Sequence, residues 1–235
     1  LTPKRLKDRI ALITGASRGI GRAVALRYAR EGAHVLLLAR TRKALEEVDD
    51  AIKAEGGTAT LIPLNLAHGA KIDALGPNLY ERFGRLDILV GNAAMLGRLS
   101  PLTHVPSEHW ERVLAVNLTA NWRLIRTLDP LLRRSDAGRA IFVTSGGPQD
   151  GEAYWAPYSV SKAALEALAK TYASETAGSS VKVNLIDPGE VATSLRAEAF
   201  PGDDPATLRQ PEELTEIFVK LASPETNVTG EIFKG

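Results

Sequence analysis

The sequence predicts an α/β fold: a doubly wound parallel sheet with helices on both faces, built as one domain over residues 1–235. Three observations predict it. Short apolar runs alternate with helical patterns along the whole chain. Some of these runs, above all His34-Val35-Leu36-Leu37-Leu38-Ala39, are continuously apolar, as in strands covered on both faces. The first run also ends in a glycine turn that leads directly into a helix.

The elements follow in order. Ile10-Ala11-Leu12-Ile13 reads as a strand ending in Thr14-Gly15-Ala16-Ser17-Arg18-Gly19-Ile20-Gly21, with a helix from Ala23 to Arg30. In such a turn Gly15 permits the tight bend, Gly19 lets backbone approach a pyrophosphate, and Gly21 lets the helix pack closely on the strand. The helix N-terminus then offers unpaired N–H groups to an anion. Three glycines are also ordinary turn chemistry, and the parallel strand that follows Gly32-Ala33 favours the first reading. A helix is expected from Thr41 to Glu55, closed by Gly56-Gly57, then a strand from Thr58 to Pro63 leading to Asn65-Leu66. Residues 67–83 form a weaker helical pattern broken or kinked at Gly76-Pro77. Leu86 to Val90 is the next strand, running into Gly91-Asn92-Ala93-Ala94.

Pro106-Ser107 opens a long helix in which Trp110, Val113, Leu114, Leu118, Leu124, Ile125 and Leu128 keep helical spacing. Asn117 and Asn121 sit on or beside that stripe, where an unsatisfied polar group costs about 1–3 kcal/mol. Asn117 is therefore either a core residue that kinks the helix or part of a site. Arg139 to Ser145 is a further strand, with Ser145 at its carboxyl end and Gly146-Gly147 behind it, a ligand-facing place in this architecture. Tyr158-Ser159-Val160-Ser161-Lys162, preceded by Pro157, heads the next helix. Tyr158 and Lys162 are four residues apart and share one face, which Leu165, Ala169 and Tyr172 continue. A phenol beside an ammonium has its charged form favoured. Moving a tyrosine from about 10 to near 7 needs about 4 kcal/mol, and a single cation supplies only part of that. Val181 to Ile186 is a strand ending at Asp187-Pro188-Gly189, residues 190–209 read as an irregular lid or substrate loop, and Pro211-Glu212-Glu213 has the composition of a first helical turn. Gly230 to Phe233 supplies a last short strand.

Bulk properties narrow the function classes. A net charge of +1 gives no field for a polyanion, so nucleic acid is not an expected partner. With no cysteine and four scattered histidines, neither a disulfide framework nor a metal site is expected. No apolar run approaches the length of a membrane span, and Leu1-Thr2-Pro3-Lys4-Arg5 lacks a signal-peptide core, so a cytoplasmic protein is expected.

With these residues assembled, the chain resembles the short-chain dehydrogenase/reductase family, whose fold is Rossmann-like, over nearly its whole length. Thr14 to Gly21 fits that family's Thr-Gly-x-x-x-Gly-x-Gly turn, and Asn92-Ala93-Ala94 is similar to its Asn-Ala-Gly segment. Tyr158 and Lys162 fit its Tyr-x-x-x-Lys, while Pro188-Gly189 with Thr193 fits its Pro-Gly-x-x-x-Thr. The spacings from Asn117 to Ser145 and from Ser145 to Tyr158 resemble those of its catalytic tetrad. Gly91 and Ala94 depart from the family's usual Asn and Gly, which would shift the backbone beside the adenosine ribose. Asn65 replaces the more common Asp, and its amide oxygen still accepts from an adenine amino group. The Tyr154-Trp155 pair and Ala199-Phe200-Pro201 resemble segments of uncharacterised bacterial NADP-dependent oxidoreductases of the family.

The resemblance implies hydride transfer between a nicotinamide cofactor and a small-molecule carbonyl or alcohol. In it Tyr158 is the general acid or base, and Lys162 holds the nicotinamide ribose and favours the tyrosinate. Ser145 hydrogen-bonds the substrate oxygen, and Asn117 holds a water leading protons to Lys162. It implies a cofactor site of Gly15, Ser17, Arg18, Gly19, Ile20 and Gly21 in the turn, Arg40 and Thr41 after the second strand, Asn65 and Leu66, Asn92 and Ala93, Tyr158 and Lys162, and Pro188, Gly189, Val191 and Thr193. Arg18 and Arg40, with no acid after the second strand until Glu46, point to NADP(H) ahead of NAD(H). Leu96, Leu99, Trp155, Leu195 and Phe200 are expected to line an apolar substrate pocket. A homodimer or homotetramer is expected through the helices that start at Ser107 and Tyr158. The alternative is a catalytically silent nucleotide-sensing regulator on the same fold.

Overall fold

The computed structural model describes residues 4–146 and 151–235. Seven parallel strands form one sheet in the order β3-β2-β1-β4-β5-β6-β7. They are β1 (Ile10–Thr14), β2 (His34–Ala39), β3 (Thr58–Pro63), β4 (Ile88–Gly91), β5 (Arg139–Val143), β6 (Lys182–Asp187) and β7 (Ile232–Lys234). The helices are α1 (Gly19–Arg30), α2 (Arg42–Ala54), α3 (Gly69–Asp73), α4 (Leu75–Phe83), α5 (Ser107–Leu114), α6 (Ala120–Leu132), α7 (Ala156–Glu175), α8 (Ser194–Ala199) and α9 (Thr215–Ala222). The strand order reverses between β1 and β4, which opens a crevice at their carboxyl ends.

The apolar strands explain the two faces. Val35 and Leu37 of β2 join a cluster with Val24, Tyr28, Leu45 and Phe218 on one side. Leu36 and Leu38 join Leu12, Leu124, Leu128 and Phe142 on the other. Successive side chains of a strand point to opposite faces, so a strand buried on both must be apolar throughout.

Four expectations change in detail. The helical pattern over 67–83 divides at Ala74 into α3 and α4, so Pro77 falls in the first turn of α4, where its missing N–H is harmless. Gly76 is required for a different reason: a Cβ there would collide with the Thr127 carbonyl of α6. The long helix from Ser107 runs through to Leu132, but Ala115–Thr119 is a π-turn that joins α5 to α6. The segment 190–209 is not irregular throughout. It contains α8, capped by the Thr193 hydroxyl accepting from Arg196 N at 3.2 Å, and a 3₁₀ turn at Pro205–Thr207. Val191 also bridges to Arg209, which closes the segment into a loop with fixed ends. The helix of Tyr158 starts at Ala156, with Pro157 inside its first turn. Gly147, expected behind Ser145, lies outside the described residues.

Candidate active site

The glycine turn is built as its sequence requires. Gly15 and Gly19 take left-handed φ values of 67° and 53°, which favour glycine. A Cβ on Gly21 would strike the Gly15 carbonyl, so the close approach of α1 to β1 excludes any other residue. Among the described residues no side chain caps α1, and its first turn has no acid, so its N-terminal N–H groups and dipole are open to an anion.

Asn92 braces this turn. Its backbone N and that of Ala93 donate to Thr14 Oγ1 at 2.9 and 3.0 Å, and Asn92 Nδ2 donates to the Thr14 carbonyl at 2.9 Å. Asn92 Nδ2 would also lie 2.9 Å from a Cβ on Gly15. Its side chain is thus committed to the end of β1. Ala94 has no left-handed φ, so its backbone conformation does not call for glycine.

Arg18 and Arg40 stand at neighbouring strand ends, joined by the Ala16 N–H donating to the Leu38 carbonyl at 3.2 Å. Both are exposed, as is Thr41. Among the described residues neither arginine forms an ion pair, whereas Arg42 is paired with Glu46 at 3.0 Å. Asn65 Oδ1 accepts from Ala67 N at 3.1 Å, which leaves its second lone pair available, and Leu66 is buried. Ser17 and Ile20 are half-buried in the turn.

Tyr158 and Lys162 lie on the inner face of α7, only 6% and 3% exposed, with Leu165, Ala169 and Tyr172 buried along the same stripe. The Ser145 hydroxyl, just past β5, is hydrogen-bonded to the Tyr158 phenol. Burial pushes Tyr158 up to about 12; the Ser145 bond lowers it, and the nearby Asp187 carboxylate raises it. Burial pushes Lys162 down to about 8. The expectation that the ammonium favours the charged phenol is therefore corrected for the protein by itself. Lys162 Nζ donates to the Val143 carbonyl at 2.7 Å and sits 5.6 Å from the Tyr158 ring centroid, so desolvation wins.

Asn117, fully buried in the π-turn, is both a core asparagine in a distorted helix and a neighbour of the α7 head. Its Oδ1 accepts from Met95 N at 2.9 Å. Its Nδ2 donates to the Met95 carbonyl and to Ser161 Oγ, each at 3.0 Å. Ser161 Oγ in turn donates to the Tyr158 carbonyl at 2.6 Å. Both amide hydrogens are engaged by protein atoms.

After β6, Gly189 has φ 66° and donates its N–H to Asp187 Oδ1 at 3.1 Å, while Val191 is buried at the bridge to Arg209. Thr193 faces the glycine turn, its Cγ2 lying 3.3 Å from where a Cβ on Gly19 would be. Arg18, Gly19, Thr193, Ser194 and Arg196 line a cavity of about 330 Å³ between turn and α8. All five expected pocket residues assemble over Tyr158: Leu96 and Trp155 are buried with it, and Leu99, Leu195, Ala199 and Phe200 pack against them. Trp155 meets Tyr158 edge-on with centroids 5.9 Å apart and Phe200 at 5.6 Å.

The sequence reading missed Arg196. Its guanidinium stacks on Phe200 at 3.9 Å and pairs with Asp203 at 2.6 Å and Glu190 at 3.0 Å, tying α8 to the chain on either side of it. The sequence signal is faint: an arginine among alanines, with acids before and after it.

Open N–H groups at α1, two arginines without an ion pair among the described residues and a cavity bounded by Gly19 and Thr193 fit a dinucleotide laid across the strand ends. Among the described residues no group of His, Asp and Glu is arranged to hold a metal, and no helix is long and apolar enough to cross a membrane.

The chain is similar to known proteins over nearly its whole length. Residues 9–204 match the family described as short chain dehydrogenase. The oxidoreductase YciK of Escherichia coli K12 is 36% identical over 224 residues, covering 94% of this chain and 88% of its own. A short chain dehydrogenase structure from Pseudomonas syringae superposes with a TM-score of 0.95 at 39% identity, covering 99% of this chain and 96% of that one. A short chain dehydrogenase from Shigella flexneri 2a, solved in complex with NADP, has a TM-score of 0.94 at 35% identity and covers 99% of each chain.

Proposed function

The chain belongs to the short-chain dehydrogenase family and is an oxidoreductase; from that premise we propose that it transfers a hydride between NADP(H) and an apolar carbonyl or alcohol, with Tyr158 as general acid and base. The observation that carries the proposal is the buried Tyr158 phenol, bonded to Ser145 at the carboxyl end of β5, one helical turn from Lys162 and beneath an apolar cover.

The bound dinucleotide supplies or accepts the hydride, and the protein supplies alignment and the proton. The α1 N-terminus and Gly19 receive the pyrophosphate, Arg18 and Arg40 with Thr41 receive the ribose phosphate, and Asn65 with Leu66 receives the adenine. Val191 and Thr193 hold the carboxamide, with Pro188 and Gly189 shaping the approach. Arg40 would hold the ribose phosphate through its guanidinium, a charge-assisted contact that an unphosphorylated ribose could not replace. Asn92 and Ala93 act indirectly by holding the turn.

With Tyr158 near 12, its hydroxyl is protonated at neutral pH and ready to donate to a carbonyl oxygen, the direction of reduction. Ser145 is a second donor at the oxygen where charge develops. Lys162 is largely a cation at neutral pH, and turning its ammonium from Val143 toward the phenol stabilises the tyrosinate that remains. Leu96, Leu99, Trp155, Leu195 and Phe200 exclude water and favour an apolar substrate. Phe200, packed on Trp155, forms the α8 side of this cover, and the Arg196 pairs with Glu190 and Asp203 hold it there.

The outer face of α7 presents Val160, Ala163 and Ala167, and α6 presents Trp122, 42% exposed; these helices are proposed to pair with a second copy of the chain. The functional reading is tested by following reduced-cofactor absorbance with NADPH and NADH against a panel of apolar ketones, aldehydes and small keto acids. NADPH oxidation by apolar carbonyls supports it, and activity confined to charged keto acids contradicts the substrate class.

A further inference from the structure

A π-turn, a local departure from the regular helical ladder, buries Asn117. The Asn117 carbonyl is met by a side chain, Asn121 Nδ2, which donates to it at 2.8 Å in the buried interior. Asn121 is 3% exposed and lies on the first turn of α6.

Room for this amide comes from another strand. Gly91, the last residue of β4, stands opposite Phe142 of β5 in the sheet register. A Cβ on Gly91 would lie 2.5 Å from Asn121 Oδ1 and would collide with the Phe142 ring. Gly91 has no left-handed φ, so clearance and not backbone conformation requires glycine there. The departure at Gly91 and the polar residue at Asn121 are thus two halves of one arrangement.

From Asn121 a continuous chain of hydrogen bonds reaches the reacting hydroxyl's helix turn. Asn121 holds the Asn117 carbonyl, Asn117 Nδ2 holds Ser161 Oγ, and Ser161 Oγ holds the Tyr158 carbonyl. Met95 fixes the remaining polar atoms of the Asn117 side chain. We infer that Asn121, admitted by Gly91, is a positioning residue: it locks the π-turn so that Asn117 and Ser161 hold the Tyr158–Lys162 turn in register for proton transfer. The inference rests on the function proposed above.

The test uses Asn121→Leu, similar in size but unable to donate, with Asn121→Asp and Gly91→Ala as companions should the first not fold. NADPH and the most active carbonyl of the panel are the probes, and Tyr158→Phe is the control. In Asn121→Leu, kcat is expected to fall by about 10- to 100-fold, as for a small misplacement of reacting groups, while KM and the NADPH dissociation constant stay within about twofold. The solvent deuterium isotope effect on kcat should rise, because the proton step becomes more limiting. Asn121→Asp should behave alike, and Gly91→Ala, which presses on Asn121 Oδ1, should shift kcat and the isotope effect the same way. Wild-type turnover that is abolished in Tyr158→Phe but unchanged in Asn121→Leu overturns this inference alone. A loss shared equally by kcat and NADPH affinity, with the isotope effect unchanged, also overturns it by making the role merely structural. Absence of turnover in the wild type overturns the functional reading and this inference together.

Discussion

Replacing Lys162 by Met should stabilise the fold at neutral pH, and the gain should shrink as pH rises. Lys162 is 3% exposed, its ammonium satisfied by one carbonyl, and burial lowers its pKa from 10.5 to about 8. The sign follows from linkage. Below pH 8 the lysine is charged in both folded and unfolded chains, so the full cost of burying the charge is present. Between 8 and 10.5 the folded protein releases the proton first, the unfolded chain binds more protons, and stability rises with pH. The shift corresponds to about 3 kcal/mol at pH 7, of which about 2 kcal/mol should be regained by pH 10. Met keeps the volume of the stem and has no charge to bury. Urea unfolding of wild type and Lys162→Met at intervals from pH 7 to 10 measures the difference directly. Tyr158, Tyr172 and Tyr28, all raised by burial, destabilise the fold above pH 10 and largely cancel between the two proteins. A stability difference that stays constant from pH 7 to 10 would refute a buried, charge-strained Lys162.

Two further outcomes follow from the same geometry. Arg40→Asp should reduce the preference for NADP(H) over NAD(H) by at least about tenfold, since a charge-assisted hydrogen bond contributes about 1.5–3 kcal/mol; equal dissociation constants for both cofactors in the wild type, or an unchanged ratio in the variant, would contradict the role of Arg40. Light scattering at micromolar concentration should give the mass of a dimer or tetramer, and a Val160→Glu change on the exposed face of α7 should lower it; a monomer in the wild type removes the proposed pairing.

The sequence carries much of this arrangement because the relevant constraints are local. A positive φ at Gly15, and a pair four residues apart on one helix, are written in adjacent positions. Continuous apolar runs likewise announce strands covered on both faces. What escaped depends on distant chain segments. The π-turn at Asn117 inserts no break in the apolar spacing, so the stripe reads as regular helix on both sides of it. Gly91 looks like an unexplained departure until Phe142 and Asn121 arrive beside it from β5 and α6. α8 has six residues between a cap and Pro201, too few for periodicity to register, although its Ala, Leu, Glu and Arg are good helix formers. The direction of the Tyr158 shift was illegible for the same reason: spacing reports that a cation is near, whereas depth of burial is set by Trp155, Leu96 and the cover from α8.

The central claim is that the Tyr158 hydroxyl moves the proton in an NADP(H)-dependent reduction, and Tyr158→Phe tests it most directly because the change removes one oxygen and keeps the ring packed against Trp155. NADPH binding, followed by quenching or energy transfer from the protein's tryptophans, and NADPH oxidation by the most active carbonyl should be measured on the same preparation. The account predicts a dissociation constant within about threefold of wild type and a kcat lower by about 100-fold or more, the usual contribution of a general acid. A variant that binds NADPH and turns over at the wild-type rate would contradict it.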